Sequence, residues 1–277
     1  MDNTFFTNHL SNRSELTRKT YHRSLTRFEI WLSQREGSLS ALTRIDVQEY
    51  VTYRYRTKNC KPTTVHKDFA AIASYAVYTG QGDSCESIRL PQVSAPEAPK
   101  ALSRNERNDV LRQVERDGNL RDIAVIYLLY ELGLRASELV HLDRSDVTLH
   151  YHTSESYVHI RYGKGYKERT IPFPEQSDAK HWLSKYLESR TDEHPALFLS
   201  NYRRRLSQRS LNRLVGKYGI HPHLLRHTML TELARSGADL FLISRLAGHS
   251  HLETTKRYTM PTLEEQARAM TDARLNR

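Results

Sequence analysis

Apolar positions before residue 90 recur at helical spacing. Leu25, Phe28, Trp31 and Leu32 share one face of a segment from about Ser14 to Gln34, and Gly37 follows it, so a first helix is predicted there. A second helix is predicted from about Thr43 to Arg56, where Asp46 stands three residues after Thr43 as a start signal. A third begins near Pro62 and stops at Gly80, with Val65, Phe69, Ile72, Tyr75 and Ala76 on its apolar side. The segment PQVSAPEAPK at 91–100 holds three prolines among small residues and suppresses regular structure, so it reads as a linker. Beyond it, Ser103 and Glu106 form a capping-box pattern opening a helix that ends near Gly118. Residues 119–132 are apolar nearly all round, as expected of a central core helix. Strand-like runs at 157–161 and 169–173 flank the turn GKGYKE. Helices resume near 177–189 and 207–218, and 222–275 reads as several more. The fold class is therefore mainly α. It consists of a helical domain at 1–90, a linker at 91–100, and an α+β domain at 101–277 with a small antiparallel sheet.

Charge narrows the partner. The 277 residues carry 42 Lys and Arg against 32 Asp and Glu, a formal charge of +10. This surplus points to a polyanion, with nucleic acid ahead of an anionic membrane; the bland alternative is a solvated basic surface. No stretch approaches the roughly 20 apolar residues that span a bilayer, and the N-terminus MDNTFFTNHLSNRSE shows no signal-peptide pattern. Cys60 and Cys85 have no metal or redox spacing, which suits a reducing cytoplasm. In the first domain Arg18, Lys19, Arg23, Arg54, Arg56, Lys58, Lys61 and Lys67 look exposed and suit phosphate contacts. Each alone is an ordinary surface charge; together they favour a DNA-binding helical domain.

Three short stretches could carry chemistry. In LGLRASEL, Arg135 follows the apolar helix and the break at Gly133, a rigid setting either for bidentate phosphate binding or for pairing with Glu138. In HPHLLRH, His223 and Arg226 are three apart and share a helical face, where both could hold one phosphate. His223 and His227 could instead ligate a metal, but no acidic or Cys partner lies in the motif and HExxH is absent, so no metal is expected. His227 alone reads as a hydrogen-bonded core histidine. In LAGHSHLETTKRYTMP, Gly248 can end a helix and Tyr258 lies late in the next stretch. A phenol is a weak nucleophile that needs a cationic pocket, and among 16 tyrosines Tyr258 alone would be a packing residue. Residues 239–258 also have a weak helix-turn-helix look.

Arg135, a turn lysine, His-x-x-Arg, Gly-His and Tyr, in that order, resemble the tyrosine recombinase (phage integrase) family. The blocks LGLRASEL, GKGYKER, HLLRHT, SGADL, LAGHS and TTKRYT carry the resemblance across 101–260. It implies that Arg135 and Arg226 clamp the scissile phosphate, that His223 and His249 hydrogen-bond to it, and that His223 also assists proton transfer. Lys164, between two glycines, would be the general acid, with Lys167 a backbone contact; Glu138 would orient the site. Tyr258 would form a 3′-phosphotyrosyl link without metal, ATP or other cofactor. Met229 and Leu230 depart from the family's usual aromatic and Ala, which affects only core packing.

The resemblance further implies a C-shaped clamp on double-stranded DNA and a homotetramer in the synaptic complex, with a monomer or weak oligomer when free. A C-terminal helix, opened by the capping box Thr262–Glu265 and striped by Leu263, Ala267 and Met270, would dock into a neighbouring subunit. The two-domain plan is similar to Xer-type recombinases and to those that resolve transposon cointegrates, so the expected role is resolving cointegrates or replicon dimers, or integrating or excising a mobile element, through a Holliday junction. Rival readings are a non-enzymatic DNA-binding protein, a type IB topoisomerase-like relaxing enzyme, and a metal-dependent hydrolase. A cytoplasmic, nucleoid-associated protein is expected.

Overall fold

Capping begins most of the predicted helices. The computed structural model describes residues 4–94, 100–150, 156–161, 168–249, 252–260 and 270. Its contacts divide the chain into two compact units, residues 1–95 and 96–277.

In the first unit, Ser14 caps α1 (Glu15–Ser33) by accepting from the Thr17 N–H. Thr43 and Asp46 close a capping box on α2 (Arg44–Thr52), which continues as a wider turn over Tyr53–Thr57. Pro62 starts α3 (Pro62–Tyr78), where its missing N–H costs nothing. The buried faces meet at Phe28, Trp31, Tyr50, Ile72 and Tyr75. Phe5 joins them through edge-on contact with Tyr75. No periodicity announces that N-terminal turn.

One sequence expectation is corrected here. Arg54 is not an exposed cation: its Nε donates to Asp68 Oδ2 at 2.8 Å, and its side chain is only 11% exposed. Asp68, buried in α3, also accepts from Ser24 Oγ at 2.6 Å and Arg27 Nη2 at 2.9 Å, tying α1 to α3. The carboxylate that turns Arg54 inward lies 14 positions away, beyond the reach of local pattern. Asp68→Ala should destabilise this unit by about 3 kcal/mol, because it strands a largely buried guanidinium. Denaturant unfolding would reveal this; a midpoint unchanged from wild type would refute it.

The second unit is built around α5 (Leu120–Glu131), in which every residue from Asp122 to Leu129 is buried. Around it lie α4 (Arg104–Asp117), α6 (Ala136–His141), α7 (Asp178–Glu188), α8 (Gln208–Gly216) and α9 (Pro222–Arg235). Glu232 of α9 accepts from Arg107 of α4 at 2.6 Å and from Tyr130 of α5 at 2.7 Å, which pins α9 to both.

The sheet has the antiparallel order β1 (Val147–Thr148), β2 (Tyr157–Ile160), β3 (Arg169–Pro172). Its two-residue first strand has no alternation to read. Register pairs Val158 with Ile171 and Ile160 with Arg169, so Arg169 shares the buried face with three apolar residues. After α9 come α10 (Leu240–Ala247) and a single turn, α11 (Glu253–Lys256). That turn is too short to serve as a recognition helix, which removes the helix-turn-helix reading. No described helix is long and apolar enough to cross a membrane.

Candidate active site

The break after α5 sets the site's first residue. Gly133 takes φ +57°, a left-handed conformation suited to glycine. The chain then re-enters α6 with Arg135 at its N-cap. Glu138, three residues on, accepts the Arg135 backbone N–H at 2.9 Å and its Nη1 at 2.7 Å. It also accepts both terminal nitrogens of Arg169 at 2.8 Å each. Arg135 therefore pairs with Glu138, as one of the two sequence readings held, and its charge lies near that of Arg226. Burial alone would raise the Glu138 pKa; the bonds and charge of Arg169, then of Arg135, outweigh it and hold the group at about 2.

The end of α10 completes the cationic cluster. Three consecutive backbone carbonyls there each take a different arginine. Arg169 Nε donates to Leu246 O at 3.0 Å, Arg226 Nη2 to Ala247 O at 2.6 Å, and Arg135 Nη2 to Gly248 O at 2.8 Å. A helix C-terminus offers unpaired carbonyls and the negative end of its dipole, a natural seat for cations. Gly248 caps this end at φ +60°, and a Cβ there would fall 2.9 Å from Arg169 Nη1, so both conformation and space demand glycine.

Arg226, on α9, is only 2% exposed, and its Nη1 also donates to Gly133 O. Burial, and then repulsion from Arg135, lower its pKa to about 10. Two of its five N–H groups have no partner among the described residues, which leaves donors for an anion.

The histidines divide by role. His249 Nε2 lies 3.3 Å from Arg226 Nη2 and its Nδ1 lies 2.8 Å from Thr255 Oγ1. A guanidinium can only donate, so Nε2 accepts and Nδ1 carries the proton toward Thr255. Burial and the nearby arginines lower the His249 pKa to about 4. Burial, then His223 and Arg257, do the same to His227, again to about 4. His223 is exposed, stacks on His227 at 5.8 Å between ring centres, and is lowered by burial and Arg226.

Tyr258, in the turn after α11, is 5% exposed. Its ring stacks on His249 at 6.1 Å, and its hydroxyl lies 2.7 Å from His227 Nδ1. Burial raises the phenol's pKa, while Arg226, Arg257 and Arg135 oppose that rise.

The structure thus gathers Arg135, Glu138, His223, Arg226, His249 and Tyr258. Lys164 and Lys167 lie outside the described residues. In the first unit Lys19, Arg23, Arg56, Lys58, Lys61 and Lys67 are exposed and Arg18 half-buried. Lys19 pairs with Glu15 at 2.6 Å, and Lys58 sits over the Tyr53 ring. Sequence reasoning missed Arg169 and Thr255. The signal for Arg169 was present: in RTIPF it takes the same inward parity as Ile171 and Phe173. No group of three or more candidate metal ligands occurs among the described residues.

The two depressed histidines predict acid sensitivity. Between pH 6.5 and 4 the unfolded chain binds protons at His227 and His249 that the folded protein excludes, so stability falls as pH drops through that window. The Glu138 contribution, present above about 4.5, is lost only further down, toward 2. At pH 5 each shift alone corresponds to about 2 kcal/mol; both rings are only partly buried, and with solvent screening the joint loss should be about 2 kcal/mol, or roughly 4–8 °C in Tm relative to pH 7.5. Thermal unfolding at the two pH values tests this; equal Tm values would contradict it.

Two family models match the chain: the phage integrase family over residues 100–265, and the phage integrase N-terminal SAM-like domain over residues 4–79. The tyrosine recombinase XerC of Staphylococcus saprophyticus is 32% identical over 268 residues, covering 91% of this chain and 88% of its own. The tyrosine recombinase XerA of Thermococcus kodakarensis is 36% identical over 214 residues, covering 74% and 73%. Among solved structures, the XerH site-specific recombinase bound to its palindromic difH substrate, in a post-cleavage complex, superposes with a TM-score of 0.74. That likeness covers 94% of this chain and 80% of that one at 20% identity, and concerns the fold alone.

Proposed function

The chain belongs to the phage integrase family and is a tyrosine recombinase, and from that premise we propose that Tyr258 is its nucleophile. Attack on the scissile phosphate forms a 3′-phosphotyrosyl bond and frees a 5′ hydroxyl. The observation that carries this reading is the position of Tyr258, nearly buried beside a cluster of three arginines held on the carbonyls of residues 246–248. Phosphoryl transfer builds negative charge on the equatorial oxygens, and fixed cations in a water-poor pocket stabilise it. Arg135 and Arg226 supply that charge, and His223 and His249 add hydrogen bonds. Glu138 and Arg169 set the geometry from behind. Lys164 protonates the departing 5′ oxygen, a role carried over from the family motif, with Lys167 on the DNA backbone. The phosphotyrosyl bond keeps the energy of the phosphodiester, so rejoining needs no ATP.

The finer reading follows the same premise. The helical domain at 1–90 and the catalytic domain at 101–277, joined by the linker at 91–100, both bind the double-stranded DNA site. Arg18, Lys19, Arg23, Arg56, Lys58, Lys61 and Lys67 contact phosphates. Four protomers join two sites, and strands exchange through a Holliday junction. The segment from Thr262 onward, outside the described residues except for Met270, docks into a neighbouring subunit. The role is resolution of a replicon dimer or of a mobile element, in the cytoplasm at the nucleoid; similarity to Xer-named relatives over most of both chains supports it.

The test mixes the protein with nicked DNA fragments from its own gene's neighbourhood, with chelator, and stops with detergent. Discrete covalently trapped ends are expected, and they map the site. Specific binding without trapped ends would favour a non-enzymatic DNA-binding protein. Ends scattered without a site, together with relaxation of supercoils, would favour a topoisomerase-like enzyme. Adducts that vanish in chelator would indicate metal-dependent chemistry.

A further inference from the structure

A phenol that attacks phosphorus must lose a proton, and among the described residues of the site His223, His227 and His249 could take it. His249 is already committed: Nδ1 carries a proton toward Thr255, and Nε2 accepts from Arg226. His223 stacks against His227, and no hydrogen bond joins it to Tyr258 among the described residues. Among the described residues, His227 alone is hydrogen-bonded to the reacting oxygen, 2.7 Å from Nδ1. Its place follows from the helix: His227 is the residue after Arg226 on α9, so one turn presents both a phosphate donor and a base.

We propose that His227 Nδ1 accepts the Tyr258 proton during attack, a catalytic role that rests on Tyr258 being the nucleophile. In the cleavage step the Tyr258 Oη–P bond forms and the P–O5′ bond breaks. The phenol proton moves to His227, and the 5′ oxygen takes a proton from the general acid. Rejoining runs the same path backwards, with the His227 imidazolium returning its proton to the departing phenolate.

Surroundings suit the task. The groups facing His227 are His221 at the N-cap of α9, His223 and Arg226 on α9, and His249, Arg257 and Tyr258 from the segment packed against it. Burial and the nearby guanidinium charges of Arg257 and Arg226 keep the imidazole neutral near pH 7, so a lone pair is open on the ring. An imidazole protonated at rest could not accept. The scissile phosphate brings negative charge that grows as attack proceeds. It offsets Arg226 and favours the imidazolium at the moment the proton arrives. The base is thus weak in the free protein and strengthened by substrate.

The experiment uses the full chain on the DNA site mapped by covalent trapping, with a sulfur replacing the scissile 5′ oxygen. A thiolate leaves without an acid, so the single-turnover rate reports on the nucleophile. His227→Asn keeps an acceptor oxygen near the Nδ1 position but cannot hold a proton. At pH 7 it should slow cleavage about 100-fold or more, in the range for general-base loss. Its rate should then climb about tenfold per pH unit, and 3-fluorotyrosine at 258, a more acidic phenol, should restore at least about tenfold. A rate within about threefold of wild type would overturn the proposal. So would a defect equal at every pH and indifferent to fluorination, since His227 would then only hold the ring in place. Should the variant fail to fold, the wild-type profile decides. A rate flat above about pH 7 and insensitive to fluorination supports the proposal, and one rising with hydroxide to pH 9 defeats it. If the wild type forms no adduct at Tyr258, the nucleophile assignment itself falls, and this proposal with it.

Discussion

Tyr258→Phe should bind DNA as tightly as the wild type and form no covalent adduct. The side chains differ by one oxygen, and the ring that packs on His249 and in the cluster with Met229, Leu230, Ile243 and Ala247 is unchanged. Loss of the hydroxyl frees His227 Nδ1 from its only described partner, which should cost about 1 kcal/mol and leave the fold intact. Cleavage should drop by roughly four orders of magnitude or more, since no second hydroxyl replaces a removed nucleophile. Detergent-stopped reactions on nicked DNA, run beside a binding assay, measure both. Adducts that persist in Tyr258→Phe would show that another residue attacks.

Arg226→Ala should separate activity from stability in the opposite sense to most core substitutions. One fixed oxyanion donor contributes about 3–4 kcal/mol to a transition state, so cleavage should slow by roughly 100- to 1000-fold. Removing a buried residue with partners usually unfolds a protein. Here the guanidinium is held charged against its own burial and against Arg135, which lowers its pKa to about 10 and strains the folded state. The bonds to Gly133 O and Ala247 O that disappear are offset by relief of that strain. The expected Tm change is therefore within a few degrees, as thermal melts would show. A protein that melts far earlier yet cleaves normally once folded would reverse the assignment and make Arg226 a structural group.

Elements with their own periodicity or caps were legible from sequence. The all-apolar run of α5, the capping boxes of α2 and α4, and the Pro62 start of α3 each rest on neighbours within four residues. What remained hidden depends on partners distant in the chain. Arg54 looks like its exposed neighbours until Asp68 folds over it. His227 reads as a core histidine because its partner, Tyr258, is 31 positions away. Thr255 was invisible for another reason: its significance lies in His249 Nδ1, at a separation that matches no helical or strand period. Arg169 is the instructive case, since strand parity pointed it inward. An inward arginine requires a buried carboxylate, and Glu138 had been read as the partner of Arg135 and as a group orienting the site, not as the carboxylate of a second arginine.

The three carbonyls at the end of α10 change what kind of mutation the site must fear. Arg135, Arg169 and Arg226 come from three separate parts of the chain, yet all are fastened to one short run of backbone. No side chain at 246 or 247 takes part in that fastening; Leu246 and Ala247 are constrained by packing instead, Ala247 inside the apolar cluster that also holds Tyr258. Position 248 is constrained by the fastening itself. A lengthened α10, or a proline that shifts its last turn, would release three cations together and leave every catalytic side chain in the sequence. Such a variant would pass an inspection of its motif and still be inert. Inheritance of this site is therefore inheritance of a helix terminus as much as of a set of residues.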